Sequence, residues 1–168
     1  IAAAQLARKN KALVILDPAP AQAMSDELWP LVDIITPNET EAALLSGLTL
    51  DCNANVEQAA AILASRGPSI IIISRGRNGV YVHSNAIKRH IPPFEVNTVD
   101  STGAGDVFNG ALLAELHRTA DLLDAIQFAQ AASALSATRR GAQTSIPTLE
   151  EVNEMLDGYY QQELMTEI

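Results

Sequence analysis

Apolar positions along the chain fall into short runs, most of them followed by a stretch with helical spacing. Residues 1–10 are alanine-rich and helical in pattern, with Lys11 at the end. Residues 12–16 form a short buried-type run, and the Asp17-Pro18-Ala19-Pro20 that follows can continue neither a helix nor a central strand. A second run at residues 31–36 closes at Pro37. Asn38 then offers an N-cap with Glu41 at the third helical position, which is capping-box spacing, and this helix is expected to reach about Ser46 and end at Gly47. Residues 55–66 predict another helix, stopped by Gly67-Pro68. Four consecutive isoleucines, 70–73, mark a strand buried on both faces. Arg75-Gly76-Arg77-Asn78-Gly79 is turn chemistry with an Asn-Gly pair, returning into a strand at 80–83, with a third strand expected at 86–91. Glycines 103 and 105 lead into a helix through His117, and further helices are expected at 121–137 and 149–156.

Short buried strands alternating with helices predict an α/β fold: a parallel sheet with helices on both faces, in three layers. The 27 alanines suit helices packed close against such a sheet. Without an internal repeat, low-complexity segment or linker, residues 1–168 read as one domain. An apolar fraction of 48% against 18% charged excludes a disordered chain and a charged coiled coil. The apolar runs are far shorter than the roughly 20 residues of a membrane span. Cys52 is the sole cysteine, so a disulfide framework is excluded. With no secretory or transit pattern in the residues given, the expectation is a soluble, cytoplasmic protein without membrane partners.

The net charge of −9 is uneven. Residues 148–168 hold six acids and no Lys or Arg, and read as a solvated helix face, while the preceding residues carry only −3. This balance argues against nucleic-acid binding, which needs clustered Lys and Arg. His83, His90 and His117 share no ligand spacing, so no zinc site is expected, and Cys52 has no visible activator.

The segment richest in candidate chemistry is Asp100-Ser101-Thr102-Gly103-Ala104-Gly105-Asp106. Two glycines and an alanine let backbone N–H groups converge where a helix begins, and the helix dipole there favours negative charge. Such a cradle holds a phosphate or an oxyanion. Asp106, in the first turn, lies where a carboxylate can accept a proton from an alcohol, and phosphoryl transfer needs little beyond such positioning and charge compensation. On its own the segment reads equally as a Gly-rich turn with an Asp serving the helix dipole. In the same way, Asn38 with Glu41 reads as a capping box, and Arg75 and Arg77 as surface charges beside a turn.

This segment, with the Val107-Phe108-Asn109-Gly110 that follows, resembles the C-terminal signature of the ribokinase-like carbohydrate kinases. Other segments resemble that family in its own order: Asp17-Pro18-Ala19-Pro20-Ala21, the Asn-x-x-Glu of Asn38 to Glu41, Ser74 to Gly79, and Arg139-Arg140-Gly141-Ala142-Gln143. The resemblance covers residues 12 to about 156 and implies a three-layer α/β/α, Rossmann-like sheet truncated on its N-terminal side. It implies Asp106 as general base on a sugar hydroxyl, with the amides of Gly103, Ala104 and Gly105 as the anion hole. Asn38 and Glu41 would orient the triphosphate of ATP and its Mg²⁺, Glu41 through water. Ser74, Arg75, Gly76, Arg77, Asn78 and Gly79 would cover the nucleotide, whose phosphates Gly105 and Asp106 would also adjoin. Gln130 falls at the adenine side. Oxygens of Asp100, Thr102, Ser136, Arg139, Gly141 and Ser145, mostly backbone carbonyls, would hold K⁺.

The family's sugar-gripping acid, Gly-Gly segment and lid strands have no counterpart among these residues. The expectation is therefore the nucleotide-binding and catalytic-base half of a sugar kinase, with ribose as first substrate and a fructokinase or 2-keto-3-deoxygluconate kinase as alternatives. The other alternative is a non-catalytic nucleotide-binding fragment. Homodimerisation of the intact protein is left open. A missing half should also leave an apolar edge exposed.

Overall fold

The isoleucine run becomes the middle strand of a sheet. The computed structural model describes residues 1–166, whose backbone groups into two units, Ile1–Pro93 and Phe94 onward. The first unit contains α1 (Ala2–Lys9), β1 (Ile15–Leu16), a 3₁₀ turn at Trp29–Leu31, β2 (Ile34–Ile35), α2 (Glu39–Ser46), α3 (Asn53–Ala64), β3 (Ile70–Ser74), a 3₁₀ turn at Gly76–Asn78, β4 (Val80–His83) and β5 (Lys88–Ile91). The strands lie in the order β1-β2-β3-β4-β5. β1, β2 and β3 run parallel, whereas β4 and β5 are antiparallel to their neighbours. The sheet is thus mixed rather than parallel, because the links from β3 to β4 and from β4 to β5 are too short for a crossover connection.

Alternation along the strands sorts the core. Ile35, Ile71, Ile73 and Tyr81 share one face and pack against Ala42 and Leu45 of α2 and Val56, Ala60 and Leu63 of α3. Ile34, Ile72 and Val82 point to the opposite face and are also buried, which is why β3 reads as an unbroken apolar run. Trp29 completes the first cluster, and the Arg66 guanidinium sits 5.0 Å above its ring, a cation–π contact. Beside the edge strand β1 lies an apolar groove lined by Ile1, Ala7, Leu13, Ile15, Leu28 and Val32.

The second unit holds α4 (Ala104–Thr119), α5 (Leu122–Ala137) and α6 (Leu149–Thr166). Ala120, in the left-handed conformation, ends α4, and the Asp121 carboxylate caps α5 by accepting from the N–H groups of Leu123 and Asp124. Val107, Phe128, Ala131, Ala132 and Val152 form the core, with α4 and α5 packed closely along the alanine-rich face of α5. Thr148 and Glu151 form a reciprocal capping box that starts α6: the Glu151 carboxylate accepts from the Thr148 N–H at 2.8 Å, and the Thr148 hydroxyl accepts from the Glu151 N–H at 3.3 Å. α6 continues well past residue 156, through Gly158. Of its acids, Glu150, Glu154 and Asp157 are exposed, whereas the side chain of Glu163 and the whole of Glu167 lie outside the described residues. Among the described residues no helix is long and apolar enough to cross a membrane.

Candidate functional site

In the first unit the end of β3 and the start of α2 meet. Asn38 caps α2 by accepting from the Glu41 N–H at 2.9 Å, and the buried Glu41 returns the bond, its Oε2 accepting from the Asn38 N–H at 2.8 Å. Ser74 lies beside this cap, its N–H donating to the Pro37 carbonyl in an isolated parallel bridge with Asn38. The structure therefore brings Asn38, Glu41 and Ser74 together.

The turn after β3 differs from a two-residue Asn-Gly hairpin. Arg75 to Gly79 closes as a five-residue loop around a 3₁₀ turn, with the Arg75 N–H donating to the Gly79 carbonyl at 2.8 Å. Gly79 has φ +78°, and a Cβ there would overlap the Ile91 carbonyl, so only glycine fits. The Arg75 side chain turns inward rather than standing free on the surface. Its Nε donates to Glu39 at 3.0 Å and its Nη1 to Asn53 at 2.8 Å, with His90 Nδ1 3.4 Å away. Sequence reasoning missed Glu39, Asn53 and His90 as partners because they lie 15 to 36 residues away with no spacing signature. Gly76, Arg77 and Asn78 remain exposed at the tip.

In the second unit, residues 100–106 form the turn into α4. Gly103, the N-cap, has φ +78°, and a Cβ there would press to 3.3 Å from that of Ala142. Of the three amides expected at an anion hole, that of Ala104 donates to the Ser101 carbonyl at 3.1 Å. Among the described residues, those of Gly103 and Gly105 have no acceptor. This is the usual state of a helix start, where the first N–H groups lack intrahelical partners. Asp106 occupies the third helical position, exposed to solvent.

The Asp100 carboxylate ties this turn to the segment after α5. Its Oδ1 accepts from both the N–H and the hydroxyl of Thr102, at 3.0 and 2.7 Å, and its Oδ2 accepts from the Gly141 N–H at 3.1 Å. The Thr102 hydroxyl bond first, then the two amide bonds, lower its pKa from 3.8 to about 2. Gly141 has φ +94°, the Ser136 and Ser145 residues are buried nearby in sequence, and the Ser145 hydroxyl donates to the Ala142 carbonyl at 3.1 Å. Arg139 makes a two-point pair with Glu151, which lowers the Glu151 pKa to about 2. Gln130 is buried in α5. Among the described residues no three His, Cys, Asp or Glu side chains cluster as metal ligands.

The family model described as pfkB family carbohydrate kinase matches residues 1–149. This chain belongs to the pfkB family of carbohydrate kinases. Ribokinases from Haemophilus influenzae and Staphylococcus aureus are 45% and 42% identical to it, over 92% of this chain and 51% of each relative. Among solved structures, a Thermotoga maritima ribokinase superimposes with a TM-score of 0.84 at 40% identity, covering 92% of this chain and 52% of that one. The Arabidopsis thaliana ribokinase complexed with ribose and ATP gives 0.83 at 29% identity, covering 91% and 50%. The fold is thus the α/β ribokinase-like one, and the chain spans about half the length of the pfkB family relatives it matches.

The resemblance implies two ions, Mg²⁺ and K⁺. At the Asp100 tie the side-chain donor set is oxygen, the carboxylate of Asp100 and the hydroxyl of Thr102, which suits a hard cation rather than a soft one. Glu41 offers one carboxylate, half committed to its cap, which suits a Mg²⁺ ion that keeps most of its waters.

Proposed function

We propose that the protein carrying this chain is an ATP-dependent sugar kinase acting on ribose, and that this chain supplies its nucleotide loop and its catalytic base. The observation that carries this reading is the 100–106 turn. Two amides with no acceptor among the described residues and an exposed carboxylate stand at one helix start, in a chain 45% identical to a ribokinase. In the reaction, the Asp106 carboxylate takes the proton from the sugar hydroxyl as that oxygen bonds to the γ-phosphorus. The bond from that phosphorus to the bridging oxygen breaks, and its electron pair leaves with ADP. The amides of Gly103 and Gly105 stabilise charge on the phosphoryl oxygens, at positions fixed before the reaction. Asn38, Glu41 and the tip at Gly76 to Asn78 would hold the nucleotide end, and Glu41 would hold Mg²⁺ through water, an ion that would supply charge compensation on the phosphates. Thr102, Gly141 and neighbouring carbonyls, gathered by Asp100, would hold K⁺ and keep the 100–105 turn in shape.

The span of about half the relatives' length favours a second reading for these residues in isolation: nucleotide binding without turnover. One hybrid separates the two. These residues replace the matched half of the Haemophilus influenzae ribokinase, and ATP-dependent phosphorylation of ribose is measured. The hybrid should phosphorylate ribose. A folded hybrid that binds ATP but does not phosphorylate ribose would contradict the kinase reading.

A further inference from the structure

Ser133 stands in the interior of α5, where a serine hydroxyl ordinarily turns back to a carbonyl three or four residues earlier. Ser136 and Thr138 do so, donating to the carbonyls of Ser133 and Leu135 at 2.8 and 2.7 Å. Ser133 does not. Its hydroxyl leaves its own helix and donates at 2.9 Å to the carbonyl of Ala104, the first residue of α4.

That carbonyl belongs to the same planar peptide as the Gly105 N–H, so fixing one fixes the direction of the other. Gly105 cannot orient this peptide through a side chain, and a Cβ built there would meet nothing within 4 Å. The Gly105 N–H is also one of the two amides expected at the cradle that have no acceptor among the described residues. A hydrogen bond to a carbonyl withdraws charge from its amide and makes the N–H a stronger donor.

We propose that Ser133 is a positioning residue for the phosphoryl cradle: its hydroxyl orients and polarises the Ala104–Gly105 peptide so that the Gly105 N–H is presented to an anionic oxygen. The proposal rests on the reading of residues 103–106 as that cradle. It adds a residue from α5 that acts through the Ala104–Gly105 peptide.

The test is amide NMR on the ¹⁵N-labelled protein, first without ligand. Ser133→Ala should move the Gly105 amide proton upfield, while Ser133→Thr, which keeps the hydroxyl, holds it near its native position. Thr138→Ala, which removes a hydroxyl bonded within its own turn, should leave it in place. A Gly105 resonance unmoved by Ser133→Ala, or moved equally by Thr138→Ala, would overturn the proposal. Titration with inorganic phosphate then reads the consequence: Ser133→Ala should need about two- to tenfold more phosphate to shift Gly105, the effect of one neutral hydrogen bond. Equal titration of native and Ser133→Ala would also overturn it. If phosphate leaves Gly103 and Gly105 unmoved in the native protein, the cradle reading fails, whereas the ligand-free comparison still decides the Ser133 coupling.

Discussion

Asp100 and Gly141, 41 residues apart in sequence, are joined by a 3.1 Å hydrogen bond from the Gly141 N–H to the Asp100 carboxylate. The same carboxylate holds Thr102, so one side chain sets the turn into α4 against the segment that follows α5. Its pKa is lowered from 3.8 to about 2, so the charged form is the one the fold favours. A depressed carboxyl pKa contributes stability that is fully present above about pH 4 and is lost as pH falls through about 2. Hydrogen exchange at the Thr102 and Gly141 amides should accordingly report local loosening over that window. Asp100→Ala should loosen both amides at neutral pH and abolish the acid dependence. An acid dependence that survives Asp100→Ala would place its source elsewhere.

Glu41 has a structural and a proposed chemical role, and one substitution separates them. Glu41→Gln keeps an oxygen for the Asn38 N–H but removes the charge, so stability in urea should change by less than about 1 kcal/mol. Mg²⁺-dependent ATP binding, measured by calorimetry, should weaken several-fold. Asn38→Ala should do the reverse in part, costing about 1 kcal/mol of stability through the lost cap. If Glu41→Gln leaves Mg²⁺-dependent binding unchanged, Glu41 is only a capping residue.

The burial pattern makes a purely structural prediction. Ile73 in β3 is completely buried between β4 and the helices α2 and α3, so Ile73→Ala should cost about 2–5 kcal/mol by urea unfolding. Leu6 in α1 is 62% exposed, and Leu6→Ala should stay within about 0.5 kcal/mol. Comparable costs for the two would mean that the α1 face is covered in solution.

Much of the fold was legible because its determinants are local. The isoleucine run announced β3, Asn38 with Glu41 announced the start of α2, Gly47 its end, and Gly103 with Gly105 the start of α4. The edges were harder. β1, at the edge, and β2 beside it shrink to two residues each, because parallel pairing is decided by partners and not by the run itself. α6 passes through Gly158, beyond the 149–156 expected, since a glycine inside a helix costs only about 1 kcal/mol and packing of Val152, Met155 and Leu156 outweighs it. At the candidate site the chemistry-bearing residue types were visible, but their present partners were not. That Arg75 turns to Glu39, that Ala104 has already donated its amide, and that Ser133 reaches Ala104 are all long-range or conformational facts.

The most direct measurement of the central claim is Asp106→Asn in the hybrid kinase described above, with turnover and ATP affinity determined on the same preparation. A general base acts on the proton in the transition state and contributes nothing essential to nucleotide binding. Turnover with ribose should fall by about 10²-fold or more while ATP affinity stays within a few-fold. Turnover retained within about tenfold, with ATP still bound, would remove Asp106 from the mechanism and contradict the account.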